Sequence, residues 1–124
     1  MRHFATRSRT RRSTRAAGRR AEWRALIYYC LRGYRVLGRN VWAGGYEIDL
    51  IVRRGRRLVF CEVKSKTGDR HGDPLEMVGS EKIVRLRRAA GAWLALHAEL
   101  DSLELVFEVV AVRGMQLERV VIAL

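Results

Sequence analysis

The stretch Glu47-Ile48-Asp49-Leu50-Ile51-Val52-Arg53-Arg54-Gly55-Arg56-Arg57-Leu58-Val59-Phe60-Cys61-Glu62-Val63-Lys64 has the form of a β-hairpin with acids in both arms. Side chains alternate along a strand, so Ile48, Leu50 and Val52 are expected on one face and Glu47, Asp49 and Ile51 on the other. In the second arm, Val59, Cys61 and Val63 share a face, and Leu58, Phe60, Glu62 and Lys64 share the opposite one. Joining the two apolar faces into one buried layer puts the acids and Lys64 together on the other surface. A two-residue turn at Arg54-Gly55 would set Glu47 across from Glu62, and one at Gly55-Arg56 would set Asp49 there; both preserve the common face.

Like charges opposed in a sheet destabilise it, and a carboxylate cluster needs a cation or a shared proton. Lys64 supplies one positive charge. Two or three of these carboxylates on rigid strands form a hard oxygen site suited to Mg²⁺ or Mn²⁺, with Lys64 placed to stabilise developing charge or orient an attacking water. The competing reading is a solvated strand face on which Glu62 and Lys64 merely pair with Glu47. One observation leans toward the site: of 25 basic residues only Lys64, Lys66 and Lys82 are lysines. Arginine serves elsewhere, so a compact ammonium at position 64 is a choice that arginine's planar fork would not replace.

Outward from the hairpin, residues from about Ala16 to Arg32 read as a helix, with Ala17, Ala21, Leu26, Cys30 and Leu31 apolar and Gly33 as C-cap. Tyr34 to Trp42 reads as a strand ending at the Gly44-Gly45 turn. The hairpin arms span about 46 to 53 and 58 to 65, and Thr67 to Gly79 reads as a loop. Ser80 is placed to N-cap a second helix running to about His97, with Ile83, Leu86, Ala90, Trp93 and Leu94 at helical spacing. Leu103 to Val112 predicts a central strand, and Leu117 to Ala123 an edge strand after Gly114. Helix, three strands, helix and two strands imply an α/β sandwich: a mixed sheet flanked by helices, because the crossover through the second helix can return a strand parallel to its neighbour.

The chain has 124 residues, 48% of them hydrophobic, enough for one domain. Its net charge of +12 is unevenly placed: residues 1 to 20 hold eight arginines and no acid, leaving 17 basic and 13 acidic residues, or +4, in the rest. Residues 1 to 17 are therefore expected to be a disordered basic arm, with Arg11 and Arg12 among its phosphate contacts, followed by a single domain over 18 to 124. The arm lacks the apolar face of a transit peptide, and no run is long enough to span a bilayer, so a cytoplasmic protein is expected. Cys30 and Cys61 are expected to be buried free thiols, and no zinc spacing occurs. Lys82, Arg85 and Arg88 share a side of the second helix that could meet backbone phosphates or simply face water. Trp23, Trp42 and Trp93 are expected in or near the core rather than as base-stacking platforms, because they sit within apolar patterns.

Glu47-Ile48-Asp49-Leu50-Ile51 followed by Phe60-Cys61-Glu62-Val63-Lys64 resembles the GEIDLI…FVEVK signature of the YraN-like bacterial family, whose fold is of the PD-(D/E)XK endonuclease type. Ala21-Glu22 through Ala25, Gly33-Tyr34, Arg39-Asn40, Gly72-x-Pro74, Lys82 and Phe107 to Val112 extend the likeness. The resemblance implies a restriction-endonuclease-like αβββαβ core with an extra C-terminal strand. It implies that Asp49 and Glu62 bind the metal, that Lys64 is catalytic, and that Glu22 and Glu47 are further acids of the site. Two departures stand out: Tyr46 replaces the glycine usual before the acid, and Glu108 stands where aspartate is usual in the late strand.

The expected activity is Mg²⁺- or Mn²⁺-dependent hydrolysis of DNA phosphodiester bonds, in branched or otherwise structured DNA. The alternative is a non-catalytic nucleic-acid-binding module that keeps the nuclease fold. A homodimer would let two sites address two strands, although no interface is legible in the sequence.

Overall fold

The computed structural model describes residues 18–65 and 79–122. Helix α1 covers residues 18–31, followed by β1 (Arg35–Ala43), β2 (Tyr46–Arg54), β3 (Arg57–Ser65), α2 (Ser80–Ala95), a 3₁₀ turn (Ala98–Leu100), β4 (Glu104–Arg113) and β5 (Gln116–Ile122). The five strands form one sheet in the order β1-β2-β3-β4-β5. Every neighbouring pair is antiparallel except β3 and β4, which the crossover through α2 makes parallel. The architecture is the expected α/β one, consistent with a restriction-endonuclease-like core. The arm over 1–17, including Arg11 and Arg12, lies outside the described residues, as does the expected loop up to residue 78.

The helices cover opposite faces of the sheet. Helix α1 lays Ala21, Ala25 and Tyr29 on Leu50, Val52, Val59, Cys61, Val106 and Val110. Two alanines at this spacing let the helix approach the strands closely. This corrects the sequence expectation for Cys30, which is exposed. Gly33 ends the helix as anticipated: its φ is 85°, and the Tyr34 N–H donates to the Tyr29 carbonyl while the Gly33 N–H donates to that of Cys30. Helix α2 seats Leu86, Ala89, Ala90 and Trp93 on Ile48, Ile51, Leu58, Phe60, Phe107 and Val109. Its N-cap is Gly79 rather than Ser80, and it stops at Ala95; His97 lies beyond the helix, its ring stacked on Trp93.

The β2–β3 hairpin turns at Gly55-Arg56, with Arg54 opposite Arg57 and Gly55 at a φ of 60°. Of the two turns allowed by the sequence, this is the one that sets Asp49 at the register position across from Glu62. The faces of β2 differ from simple alternation. Leu50 and Val52 face α1, but Ile48 joins Ile51 in the core beneath α2. The change of side falls at Asp49. The β1–β2 pairing passes from Arg39↔Leu50 to Val41↔Ile48, skipping Asp49 and the Asn40 that would oppose it. Asn40 has a φ of 49°, in the left-handed region that asparagine tolerates better than most residues.

Candidate active site

The irregularity at Asp49 opens the end of the β2–β3 ladder. Backbone pairing between these strands ends at Leu50↔Cys61, and the Val63 N–H donates instead to Asp49 Oδ2 at 2.8 Å. Glu62, on the α2 side of β3, is only 5% exposed. Its Oε1 lies 3.0 Å from Lys64 Nζ and accepts a 3.4 Å hydrogen bond from the Tyr46 hydroxyl. Its Oε2 is buried with no hydrogen-bond partner among the described residues. Buried carboxylate oxygens are normally satisfied. Glu62 is therefore not on a solvated strand face, because Leu58, Phe60 and Ile51 on the same side lie in the core beneath α2, whereas Glu47 remains exposed.

The electrostatics follow from this burial. Desolvation, then the charge of Glu62, push the Asp49 carboxyl up to about 7, against the pull of the Val63 N–H. Burial also raises the Tyr46 phenol, with Glu62 adding to the effect. Burial alone would lower the Lys64 ammonium, but the Lys82 side chain and Glu62 outweigh it, and the net shift is upward. Lys82, at the head of α2, is shifted down by the Lys64 side chain beside it and by the charge of that neighbour. Two of the three lysines in the chain thus meet at the acids.

Glu22 reaches the same region from α1. Burial raises its carboxyl, a hydrogen bond from the Asn40 side chain lowers it, and Glu47 raises it further. Glu47 is exposed on β2 and contributes charge to this region. Arg85 and Arg88 are exposed on α2 and, with Ser80, Glu81 and Val84, line a shallow depression of about 280 Å³. Asp49, Glu62 and Lys64 are thus brought together, Glu22, Glu47 and Lys82 stand beside them, and the two arginines form a separate basic surface. Among the described residues no three His, Cys, Asp or Glu side chains converge into a ready-made metal cage.

The sequence reading gave Tyr46 and Asn40 no part in the site. The only signal for Tyr46 was its departure from the family's glycine; its hydroxyl now accounts for one bond to Glu62. Glu108, the other departure, faces α1 and is fully buried. The Tyr29 hydroxyl donates to its Oε1 at 2.6 Å, and Arg57 and Arg119 approach its Oε2 at 3.4 and 3.3 Å. It anchors three elements on the face away from Glu62. Of the tryptophans only Trp93 is buried; Trp23 is 52% and Trp42 72% exposed.

Comparison with known proteins places these residues in a wider set. A family profile described as "Uncharacterised protein family UPF0102" matches residues 21–112. A UPF0102 protein of Maricaulis maris is 38% identical over 105 residues, covering 85% of this chain and 81% of its own. One of Methylorubrum extorquens is 48% identical over 88 residues, 70% of this chain and 66% of the relative. One of Frankia casuarinae is 41% identical over 92 residues, covering 74% and 78% respectively.

Proposed function

The chain belongs to the uncharacterised protein family UPF0102, the YraN-like group, and from that premise we propose that it is a metal-dependent nuclease hydrolysing DNA phosphodiester bonds. The observation that carries the reading is the buried Glu62 carboxylate, with one oxygen lacking a partner among the described residues, near an Asp49 whose ionisation is opposed by burial and by the Glu62 charge. A divalent cation answers both deficits. Asp49 and Glu62 would hold it, and a site with two carboxylates suits Mg²⁺ or Mn²⁺, which keep several waters and take further oxygens from phosphate. Such an ion supplies Lewis acidity toward a phosphoryl oxygen and a water of lowered pKa.

The remaining chemistry belongs to the chain. Lys64 carries its charge next to Glu62 and would stabilise the charge that develops on the phosphoryl oxygens or orient the attacking water. Lys82 is a second amine beside that ammonium, its own proton less firmly held because of the neighbouring charge. Tyr46 fixes the Glu62 carboxylate, and the Val63 N–H fixes that of Asp49. Glu22 and Glu47 add negative charge at the margin, and Arg85 and Arg88 offer phosphate contacts away from the acids.

Incubating the protein with single-stranded, duplex and branched DNA in Mg²⁺ or Mn²⁺ tests the reading. Cleavage should require the metal and disappear in Asp49→Ala, Glu62→Ala and Lys64→Ala. If no DNA is cut, or if these variants cut as well as the parent, the nuclease reading is wrong, and salt-sensitive binding without cleavage would favour a non-catalytic nucleic-acid-binding module.

A further inference from the structure

We propose that Trp42 is a stacking platform for an unpaired base, so that the site takes single-stranded segments, free or at a junction, in preference to uninterrupted duplex. The proposal rests on the nucleic-acid reading above and adds to it a substrate class and a residue that selects it. Tryptophan is a costly side chain to leave in water, yet Trp42 is 72% exposed. Its neighbours Val41 and Ala43 pack against the core beneath α2, so Trp42 points to the opposite side of β1, where Glu47 is its cross-strand partner. A base stacked there would lie beside the acids at the margin of the candidate active site.

The platform is held in place. Gly44 and Gly45 form the two-residue turn between β1 and β2, with φ of 58° and 78°. A Cβ on Gly44 would come within 3.1 Å of the Arg88 carbonyl oxygen and 3.2 Å of Ala89 Cα, so the turn is pressed onto the backbone of α2. Trp42 stands two residues before that contact, and Tyr46, which bonds Glu62, stands two residues after it.

Charge separates base from backbone. Around Trp42, Glu47 makes the surface unwelcoming to phosphate but leaves an uncharged base face unopposed. The arginines that suit phosphate, Arg85 and Arg88, project from α2 near the turn. Trp23 is the weaker candidate because the Arg39 guanidinium already sits 4.7 Å from its ring centroid. Within a duplex the base faces are stacked on one another, so Trp42 has a face to meet only where pairing is interrupted.

Binding measured without metal keeps this test separate from cleavage. Labelled single-stranded oligonucleotide and a duplex with the same number of phosphates would be titrated with the parent, Trp42→Ala and Trp42→Phe at fixed salt in EDTA. Loss of one stacked base should weaken single-strand binding on the order of tenfold in Trp42→Ala, with duplex binding changed less than about twofold and Trp42→Phe retaining most of the affinity. The salt slope should stay the same, because no phosphate contact is removed. In Trp23→Phe protein the one exposed tryptophan is Trp42, and single-stranded DNA should quench its fluorescence. Equal losses on both DNAs, no loss on either, no single-strand binding by the parent, or no quenching would overturn the proposal. Failure to cut any DNA in Mg²⁺ or Mn²⁺ would overturn the nuclease reading while leaving these outcomes unchanged.

Discussion

Replacing Asp49 by asparagine should stabilise the metal-free protein. Asp49 is pushed from an ordinary 3.8 to about 7, chiefly by burial and by Glu62. A folded-state pKa above the unfolded value means that the native state binds the extra proton. Stability is then greatest below about pH 4 and is lost as the pH rises to about 7. Three units at about 1.4 kcal/mol each set a ceiling of about 4 kcal/mol on the cost of the charged carboxylate above neutrality. Water at its partly exposed edge relieves some of this, leaving about 2–3 kcal/mol. Asparagine keeps an oxygen for the Val63 N–H and carries no charge. Thermal unfolding followed by circular dichroism in EDTA should give Asp49→Asn a midpoint about 10 °C above the parent at about pH 8, a gap that shrinks to about half or less at about pH 5 and closes only below about pH 4. Mg²⁺ should raise the midpoint of the parent and leave that of the variant unmoved. A variant less stable than the parent at the higher pH would show that Lys64 and Lys82 already neutralise Asp49 and that no cation is wanted there.

The remaining expectations address other parts of the molecule. Lys64→Ala should slow cleavage by about 10²–10³ with DNA affinity nearly kept, and Lys64→Arg should not rescue it, as single-turnover kinetics would show. Arg85→Ala with Arg88→Ala should weaken binding to all sequences alike and reduce the salt slope by about two, read from titrations at several salt concentrations. Glu108→Ala, which leaves the buried Tyr29 hydroxyl without its carboxylate and the part-exposed Arg57 and Arg119 without their shared partner, should cost about 2–3 kcal/mol in urea denaturation. Gly44→Ala, at positive φ and against the α2 backbone, should lower the unfolding midpoint by several degrees, an effect on the order of 1–3 kcal/mol.

What the sequence disclosed, and what it hid, follows from the reach of each physical rule. Period-two alternation is a property of one strand, and it sorted Leu58 and Phe60 from Val59 and Cys61 correctly. It failed in β2, where a left-handed Asn40 on the neighbouring strand lets Asp49 break the pattern. That break depends on two strands at once, and neither carries its mark alone. In α1 the large apolar residues suggested the buried face, yet the sheet accepts Ala21, Ala25 and Tyr29, because close helix–sheet approach selects for small size as well as hydrophobicity. The three tryptophans invited the same error and only Trp93 fits the expectation. Lys64 and Lys82, two of the three lysines, are 18 positions apart in sequence yet close enough in the fold to shift one another's titration.

The two buried glutamates show why the site belongs where it does. Both sit on central strands, β3 and β4, and each is almost wholly withdrawn from water. Glu108 is complete: a hydroxyl donates to one oxygen and two guanidinium groups approach the other. Removing such a carboxylate from water is offset by its partners, and little capacity is left to bind anything else. Glu62 has one ammonium and a long phenol contact on Oε1, no partner on Oε2 among the described residues, and another carboxyl nearby. A fold able to satisfy Glu108 so fully did not need to leave Glu62 unfinished for stability's sake. On the proposed reading, a hard divalent cation would fill that deficit.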